Sequence, residues 1–410
     1  MLNSFWKKVV EKVDYAFQPI VNPFTGKTYA VEALIRDIDM CGFSTIEEIF
    51  DRAFDENVLF ALDIQLRKKA LNKYKGIDSY KQIKFFYNYD VRIVNMADHK
   101  PGLTTEILSE LDIDNESVCY ELSEKHKHSF SINTKNILDT ARESGRKIAI
   151  DDFGAGFANF ELFYFSEPDY LKLDRFMITD IHKDIKKRKF CNHIVSMAHF
   201  FGITVIAEGV ETKEEFRACR EMGIDLIQGY FIQRPTQNIL EIEHNYRRVS
   251  ILADSDKRDM SEDEHLISNE MVYLRPVYIN DKAENVLDEL SRHIDIPIVP
   301  IVDLTGIPLG IVCEKNLKKY LYMPYGKELL FNRSLSTDLR KFMNKCPSVE
   351  ISTPIEKILE IFVANKESEG VIITKGLKYH GFLSAQSLLN TLNEKNLAFA
   401  RDMNPLSRLP

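Results

Sequence analysis

The sequence has 410 residues, room for two or three domains, with 44% apolar and 28% charged residues, the balance of an ordinary globular chain. Its formal charge of −8 argues against a general binder of polymeric nucleic acid or of membrane surfaces, which would carry a basic excess. No run reaches the length of a membrane segment, and the six cysteines are scattered without a C-x-x-C pair. A transmembrane helix, a zinc ribbon and a disulfide framework are therefore all unexpected, and a cytoplasmic protein with reduced thiols is the expectation.

The chain opens on "MLNSFWKKVVEKVDYAF", whose apolar residues recur at helical spacing. Eight short strand-like runs follow: "YAFQPIV", "YAVEALIR", "IKFFYNYD", "VCYELSE", "KIAIDDFG", "YLKLDRF", "TVIAEGV" and "LIQGYFI". From the second onward, the stretches between them mostly read as amphipathic helices, such as "TKNILDTARESG" and "FCNHIVSMAHFFG". Strands alternating with helices predict parallel β/α units, and eight of them fit a closed (β/α)8 TIM-like barrel. The first two runs are joined only by "NPFTGKT", with Pro23 and Gly26. That is hairpin length, too short for a parallel crossover, so one strand of the barrel is expected to run antiparallel.

The charge-dense stretch "VSILADSDKRDMSEDEHLISN" then reads as a domain boundary with a solvated connecting helix. After it, "IPIVPIVDLTGIPLGIVCEKNLKKYL" and "SEGVIITKGLKYHGFLSAQSLLNTL" share one plan of strand, turn, strand and helix, each preceded by a helix. The expected organisation is a barrel over 1–248, a charged linker over 249–270, a paired α+β module over 271–395 and a junction over 396–410.

Each barrel run carries, at or near its end, a polar residue that a buried strand would not select: Gln18, Glu32, Asn88, Glu121, Asp151 with Asp152, Lys172, Glu208 and Gln228. Strand C-termini of such a barrel converge on one mouth, where the active site sits. A lone Glu at a strand end is ordinarily a surface acid, and Asp-Asp before Gly is a common turn signal. Eight successive strands each carrying such a residue are different, because independent accidents multiply. Like charges about 4 Å apart repel by about 4 kcal/mol at an effective dielectric of about 20. One lysine cannot neutralise five carboxylates, whereas hard divalent cations can, and the all-oxygen set suits Mg2+ or Mn2+ rather than zinc. Two such ions would clamp the attacking and leaving oxygens of a phosphoryl displacement. The histidines show no metal-ligand spacing and are read as surface or packing residues.

These segments resemble the EAL-domain family of bacterial cyclic di-GMP phosphodiesterases. The eponymous motif stands as Glu32-Ala33-Leu34 followed by Arg36, the E-x-T-E segment as Glu121-Leu122-Ser123-Glu124, and D-D-F-G as Asp151 to Gly154. K-x-D is Lys172 to Asp174, E-G-V-E is Glu208 to Glu211, and Q-G-Y is Gln228 to Tyr230 before Arg234-Pro235. The resemblance implies that Glu32, Asn88, Glu121 and Asp151 hold one metal, and that Asp151 and Asp152 hold the second, with Glu208 completing it or activating the water. Catalysis would rest on Lys172, Glu208 and Glu32, with Lys172 orienting the water. Gln18, Arg36, Gln228, Arg234 and Pro235 would meet substrate, and Glu124 and Glu211 would support loops, one of which couples to a homodimer in this family. Ser123 keeps the hydroxyl of the usual threonine. Ala155, Phe157 and Asn159 remove three hydroxyls from the loop after Asp152, which puts rate or dimer coupling in question.

Residues about 272–395 resemble a tandem CBS module, a pair that often binds adenine nucleotides. The family's ribose-binding pattern departs in both copies: Cys313 and Asn316 stand in the first, and Ser387 replaces the acid in the second. The pair is expected to be structural or dimerising, or to sense a nucleotide. The last segment, "ARDMNPLSRLP", resembles the start of a GGDEF domain, which implies a longer parent protein. The implied function is metal-dependent hydrolysis of cyclic di-GMP to pGpG, regulated by the CBS-like pair. The rivals are a silent cyclic di-GMP receptor, a scaffold controlling an absent cyclase, and a (β/α)8 metal enzyme of unrelated chemistry.

Overall fold

The structure is a computed structural model that describes residues 2–123, 132–154, 160–256, 262–292, 296–321, 339–364 and 368–390. It divides into two compact units, Met1–Cys191 with Thr204–Ala253, and Asn192–Ile203 with Asp254–Pro410. Among the described residues no helix is long and apolar enough to cross a membrane.

The first unit is a closed eight-stranded barrel, with strands in sequence order: β1 (Asp14–Val21), β2 (Thr28–Arg36), β3 (Lys84–Asn88), β4 (Val118–Ser123), β5 (Lys147–Phe153), β6 (Tyr170–Leu173), β7 (Thr204–Ala207) and β8 (Leu226–Ile227). β1 runs antiparallel to both neighbours, β2 and β8, as the short "NPFTGKT" connection predicts, and the other neighbouring strands pair parallel. That hairpin closes because the Asn22 carboxamide oxygen accepts from the Phe24 and Thr25 amides, and Gly26 takes φ +74° where a Cβ would lie 2.7 Å from the Tyr246 carbonyl oxygen. β8 stops after two residues although the run "LIQGYFI" reads as a longer strand. Gly229 turns the chain there against Val210, whose carbonyl oxygen would be 2.1 Å from a Cβ.

The helices that position the site are α1 (Ser4–Lys12), α2 (Ile46–Asp55), α3 (Leu59–Tyr74), α4 (Leu103–Glu110), α5 (Ile132–Glu143), α6 (Phe160–Ser166), α7 (Arg175–Ile178), α8 (Ile185–Phe200) and α9 (Lys213–Glu221). Phe17, Phe85, Phe86, Ile206 and Leu226 are fully buried, each burial contributing about 1.5–3 kcal/mol. The six cysteines are free thiols, all but Cys41 buried.

The charged stretch 249–270 is helical where described, as α10 (Arg247–Asp256) and α11 (Glu262–Glu270), and Ile267 of α11 lies in the apolar core of the second unit with Val349, Ile355 and Val371. Within the second unit the order strand, helix, strand, strand, helix occurs twice. The first copy contains β9 (Val277–Tyr278), β10 (Ile298–Val302) and β11 (Pro308–Cys313), and the second β12 (Ser348–Glu350), β13 (Gly370–Lys375) and β14 (Lys378–Ser384). The copies match in detail. Ile301 faces Gly310 and Ile373 faces Gly381, with a register shift just beyond each pair. Each copy's leading segment also crosses to the other: Val272 bridges Phe382, and Asn344 bridges Ile311.

Candidate active site

Asn88 and Glu121 share one rung between β3 and β4, while Gln18 faces Glu32 across the β1–β2 hairpin. The parallel strands, with Gln18 supplied by antiparallel β1, bring these side chains together with Asp151, Lys172, Glu208 and Gln228. The chain of amides is continuous: Gln228 Nε2 donates to Gln18 Oε1 at 3.1 Å and to Glu32 Oε2 at 2.6 Å. Asn88 Nδ2 donates to Glu32 Oε1 at 3.2 Å and Glu121 Oε2 at 3.3 Å.

Two adjacent strand residues ordinarily point to opposite faces. Asp151 and Asp152 escape that rule because they lie in a bulge. Ile150 pairs with Leu171 and Phe153 with Leu173, so two residues of β5 oppose Lys172 alone. Asp152 takes φ +55° in the left-handed region, which Asp tolerates better than most residues, and Gly154 follows at φ +98°. The bulge lets Asp151 and Asp152 each bring a carboxylate oxygen within 4.8 Å of one another and of Glu208.

At the centre stands Lys172, wholly buried. Its Nζ lies 2.5 Å from Glu121, 2.6 Å from Glu208, 3.0 Å from Asp151 and 3.3 Å from Glu32. These are close ionic approaches rather than aligned hydrogen bonds: Lys172 Nζ, Glu121 Oε1 and Asp151 Oδ1 are buried without a well-oriented partner. Burial pushes the Glu121 carboxyl well above the usual carboxylate range, with the Glu32 charge adding to it, and burial raises Glu208 the same way. Burial alone would lower the Lys172 ammonium, but the charges of Asp151, Glu121, Glu208 and Glu32 outweigh it and hold Lys172 well above its usual value.

One ammonium serves the carboxyls of Glu32, Glu121, Asp151, Asp152 and Glu208, and burial with mutual repulsion works against holding them all ionised without further cations. An all-oxygen set of carboxylates sharing a single ammonium fits hard divalent cations. Beside this cluster opens a cleft of about 310 Å³, walled by Leu34, Ile35, Ile46 and Phe50 on one side and by Tyr15, Tyr87 and Tyr89 on another. Ile46 and Phe50 come from α2, which buries Ile49 and Ala53 and leaves these two half-covered. Sequence reading missed these walls. The only available signal was an aromatic one step off the buried stripe of a helix.

Other expected residues make contacts of their own. Arg36 ends β2, and its Nη1 donates to the Ile35 carbonyl. Arg234 is exposed and stacks over Tyr230 at 4.1 Å from the ring centroid, with Pro235 beside it in the chain. Glu211 pairs with Arg175 at 2.8 Å, and Asp174 caps α7 through the Phe176 amide. Glu124 and the altered loop positions Ala155, Phe157 and Asn159 lie outside the described residues.

Residues 9–235 match the EAL domain family. The chain is 27% identical over 223 residues to the probable cyclic di-GMP phosphodiesterase PdeI of Escherichia coli K12, covering 53% of this chain and 28% of that one. It is 25% identical over 231 residues to the cyclic di-GMP phosphodiesterase NbdA of Pseudomonas aeruginosa, covering 55% and 29%. The chain thus spans less than a third of the length of these curated relatives. Among solved structures, the EAL enzyme Bd1971 in its cAMP-bound form aligns with a TM-score of 0.50 at 22% identity, covering 61% of this chain and 67% of that one, a likeness of fold. With more than half of its residues matched, from the first barrel strand to the segment beyond the last, this chain belongs to the EAL-domain family.

Proposed function

We propose that the chain hydrolyses cyclic di-GMP to linear pGpG in a reaction that depends on two divalent ions, Mg2+ or Mn2+. The observation that carries this reading is the Lys172 ammonium enclosed by Glu32, Glu121, Asp151 and Glu208, with Asp152 turned to the same mouth by the β5 bulge. The names of the similar phosphodiesterases support the substrate.

In this reading Glu32, Asn88, Glu121 and Asp151 hold one ion, and Asp151, Asp152 and Glu208 the other. When bound, the ions neutralise the acids and supply the Lewis acidity that makes a water nucleophilic and steadies the phosphoryl oxygens. Asn88 now offers its amide nitrogen to Glu32 and Glu121, so ligation requires the amide to turn over. Gln18 and Gln228 fix the Glu32 carboxylate and line the substrate site. Lys172 orients the attacking water, and Glu208 receives its proton or completes the second site. The water oxygen bonds to phosphorus, the bond from phosphorus to the ribose O3′ breaks, and O3′ takes up a proton. The cleft beside Phe50 and Tyr89 accepts a guanine, while Arg36, Arg234 and Pro235 reach substrate only if it extends beyond the cluster.

The second unit, in the same reading, is a tandem CBS-like pair acting as a regulatory or dimerising module of a cytoplasmic homodimer, with an adenine nucleotide as its candidate ligand. Its support is the repeated strand and helix plan and the reciprocal bridges. The GGDEF-like junction at 396–410 lies outside the described residues.

The test is incubation of the purified chain with cyclic di-GMP and Mg2+ or Mn2+, following pGpG by chromatography. Metal-dependent product is expected, falling by about 10³-fold or more in Glu32→Ala, since a lost ligand forfeits several kcal/mol of transition-state stabilisation. Tight binding without product would make the chain a receptor.

A further inference from the structure

A second buried charge cluster, of opposite sign, lies against the outer side of β3 and β4, between α3, α4 and α5. A cavity of about 100 Å³ there is lined by Arg67, Arg146, Lys100 and His99 together with Thr104 and Tyr89, and no carboxylate lines it among the described residues. That is unusual for a chain of net charge −8.

The two arginines are almost wholly buried, with 2% and 4% of their surface exposed. Arg67 has a counter-ion, Asp63 one turn earlier on α3, which sits off the cavity, and it donates to Thr104 Oγ1 at 2.5 Å. Arg146 has no such partner. Its Nη1 donates to Thr105 Oγ1 at 2.9 Å and Asn115 Oδ1 at 2.7 Å, both neutral, and it meets no carboxylate among the described residues. The Nε of each arginine is buried with no acceptor. A buried guanidinium left without an opposite charge is strongly unfavourable, so charges almost never sit this deep unpaired.

The start of α4 adds to the same field. Its N-cap is Gly102, which offers no side-chain acceptor, so the first-turn amides beside the cavity remain uncapped. Free amides and the positive end of a helix favour an anion. Phe60, Ile64 and Leu103 line the rest of the cavity, whose volume admits a small oxyanion beside the arginines.

We propose that this cavity binds a small tetrahedral oxyanion of the phosphate class, held by Arg146 and Arg67 and closed at its rim by Lys100. The site does not belong to the catalytic machinery. It touches the cleft through Tyr89, which lines both cavities.

Calorimetric titration of the whole chain with inorganic phosphate tests this, with chelator present so that no metal at the barrel mouth contributes. Saturable binding is expected, with a rise of about 5 °C in the unfolding midpoint at phosphate well above its dissociation constant. Arg146→Gln should abolish both. Lys100→Ala, at an exposed position that folding does not need, should weaken binding several-fold. A second arm with ribose 5-phosphate separates sources: equal binding assigns the site to the phosphate end of a larger molecule, and none assigns it to the free anion, either upholding the oxyanion site. No saturable binding to the unaltered chain, or binding and midpoint shifts unchanged in both variants, overturns the proposal.

Discussion

The two faces of β3 and β4 carry buried clusters that are unbalanced in opposite directions. Toward the barrel mouth, Glu121 helps surround a single lysine with carboxylates. On the outer side Tyr120, its neighbour in the chain, accepts from Arg67, whose guanidinium lies 5.2–5.4 Å from the ring centroids of Tyr87, Tyr89 and Tyr120. Alternation along two strands thus separates acid from base by one residue. The contrast teaches that net charge says little about local chemistry. What matters is which buried charges lack a partner of their own.

The comparison breaks most visibly if its central cation is removed. Lys172→Met leaves four buried acids facing one another, and a loss of about 3–5 kcal/mol in metal-free stability is expected from urea denaturation. An unchanged midpoint would mean that the acids are not ionised together. On the outer face, Arg67→Met should lose a similar 3–5 kcal/mol or slightly less, because Asp63 is stranded beneath three tyrosines. The double variant Asp63→Leu with Arg67→Met should recover much of that loss, a non-additivity that a double-mutant cycle reads directly. If the double variant is as unstable as the sum of the singles, the pair is not the unit it is taken to be here.

Smaller effects sharpen the contrast. Mn2+ at about one hundred times its dissociation constant should stabilise the chain by about 2.7 kcal/mol for each site filled, and chelator should remove that gain. Asp151→Asn should reduce the response, whereas Arg146→Gln should leave it intact, and a metal response centred on the outer cluster would reverse the assignment. Smallest of all, Thr45→Ala removes the capping box at the start of α2, where Thr45 Oγ1 accepts from the Glu48 amide at 3.2 Å. A loss of about 1 kcal/mol is expected there, independent of metal and phosphate.

Much of the barrel is legible in the residues themselves. Short strand-like runs separated by helical spacing prescribe the strands, and the length of "NPFTGKT" prescribes the one reversal. The polar strand ends follow from the same pattern, because a buried run has no reason to finish on Glu32, Asn88 or Lys172 unless something waits there. The β5 bulge is a different matter. "IDDFG" shows two acids in a row but not that Asp152 adopts a left-handed backbone, since local sequence only permits that conformation and pairing with Leu171 and Leu173 imposes it. The outer cluster is less legible still: Asp63 with Arg67, Thr104 and Arg146 come from three separate segments, each unremarkable alone. Arg36 and Arg234 show the opposite limit, where a motif is present but the contact it implies is with substrate, so no pairing or packing within the chain displays it.

The reciprocal bridges of the second unit bear on how the chain is made. The strand partner of Val272 is Phe382, 382 − 272 = 110 residues further on. At a synthesis rate of about 5–20 residues per second, the leading segment leaves the ribosome about 5–20 s before its partner exists. Through that interval Leu274, Ile298 and Ile311 lack Ile372 and Phe382, with which they share a core in the finished unit. A nascent-chain arrest placed before residue 382 should therefore expose this segment to proteases that the finished unit resists.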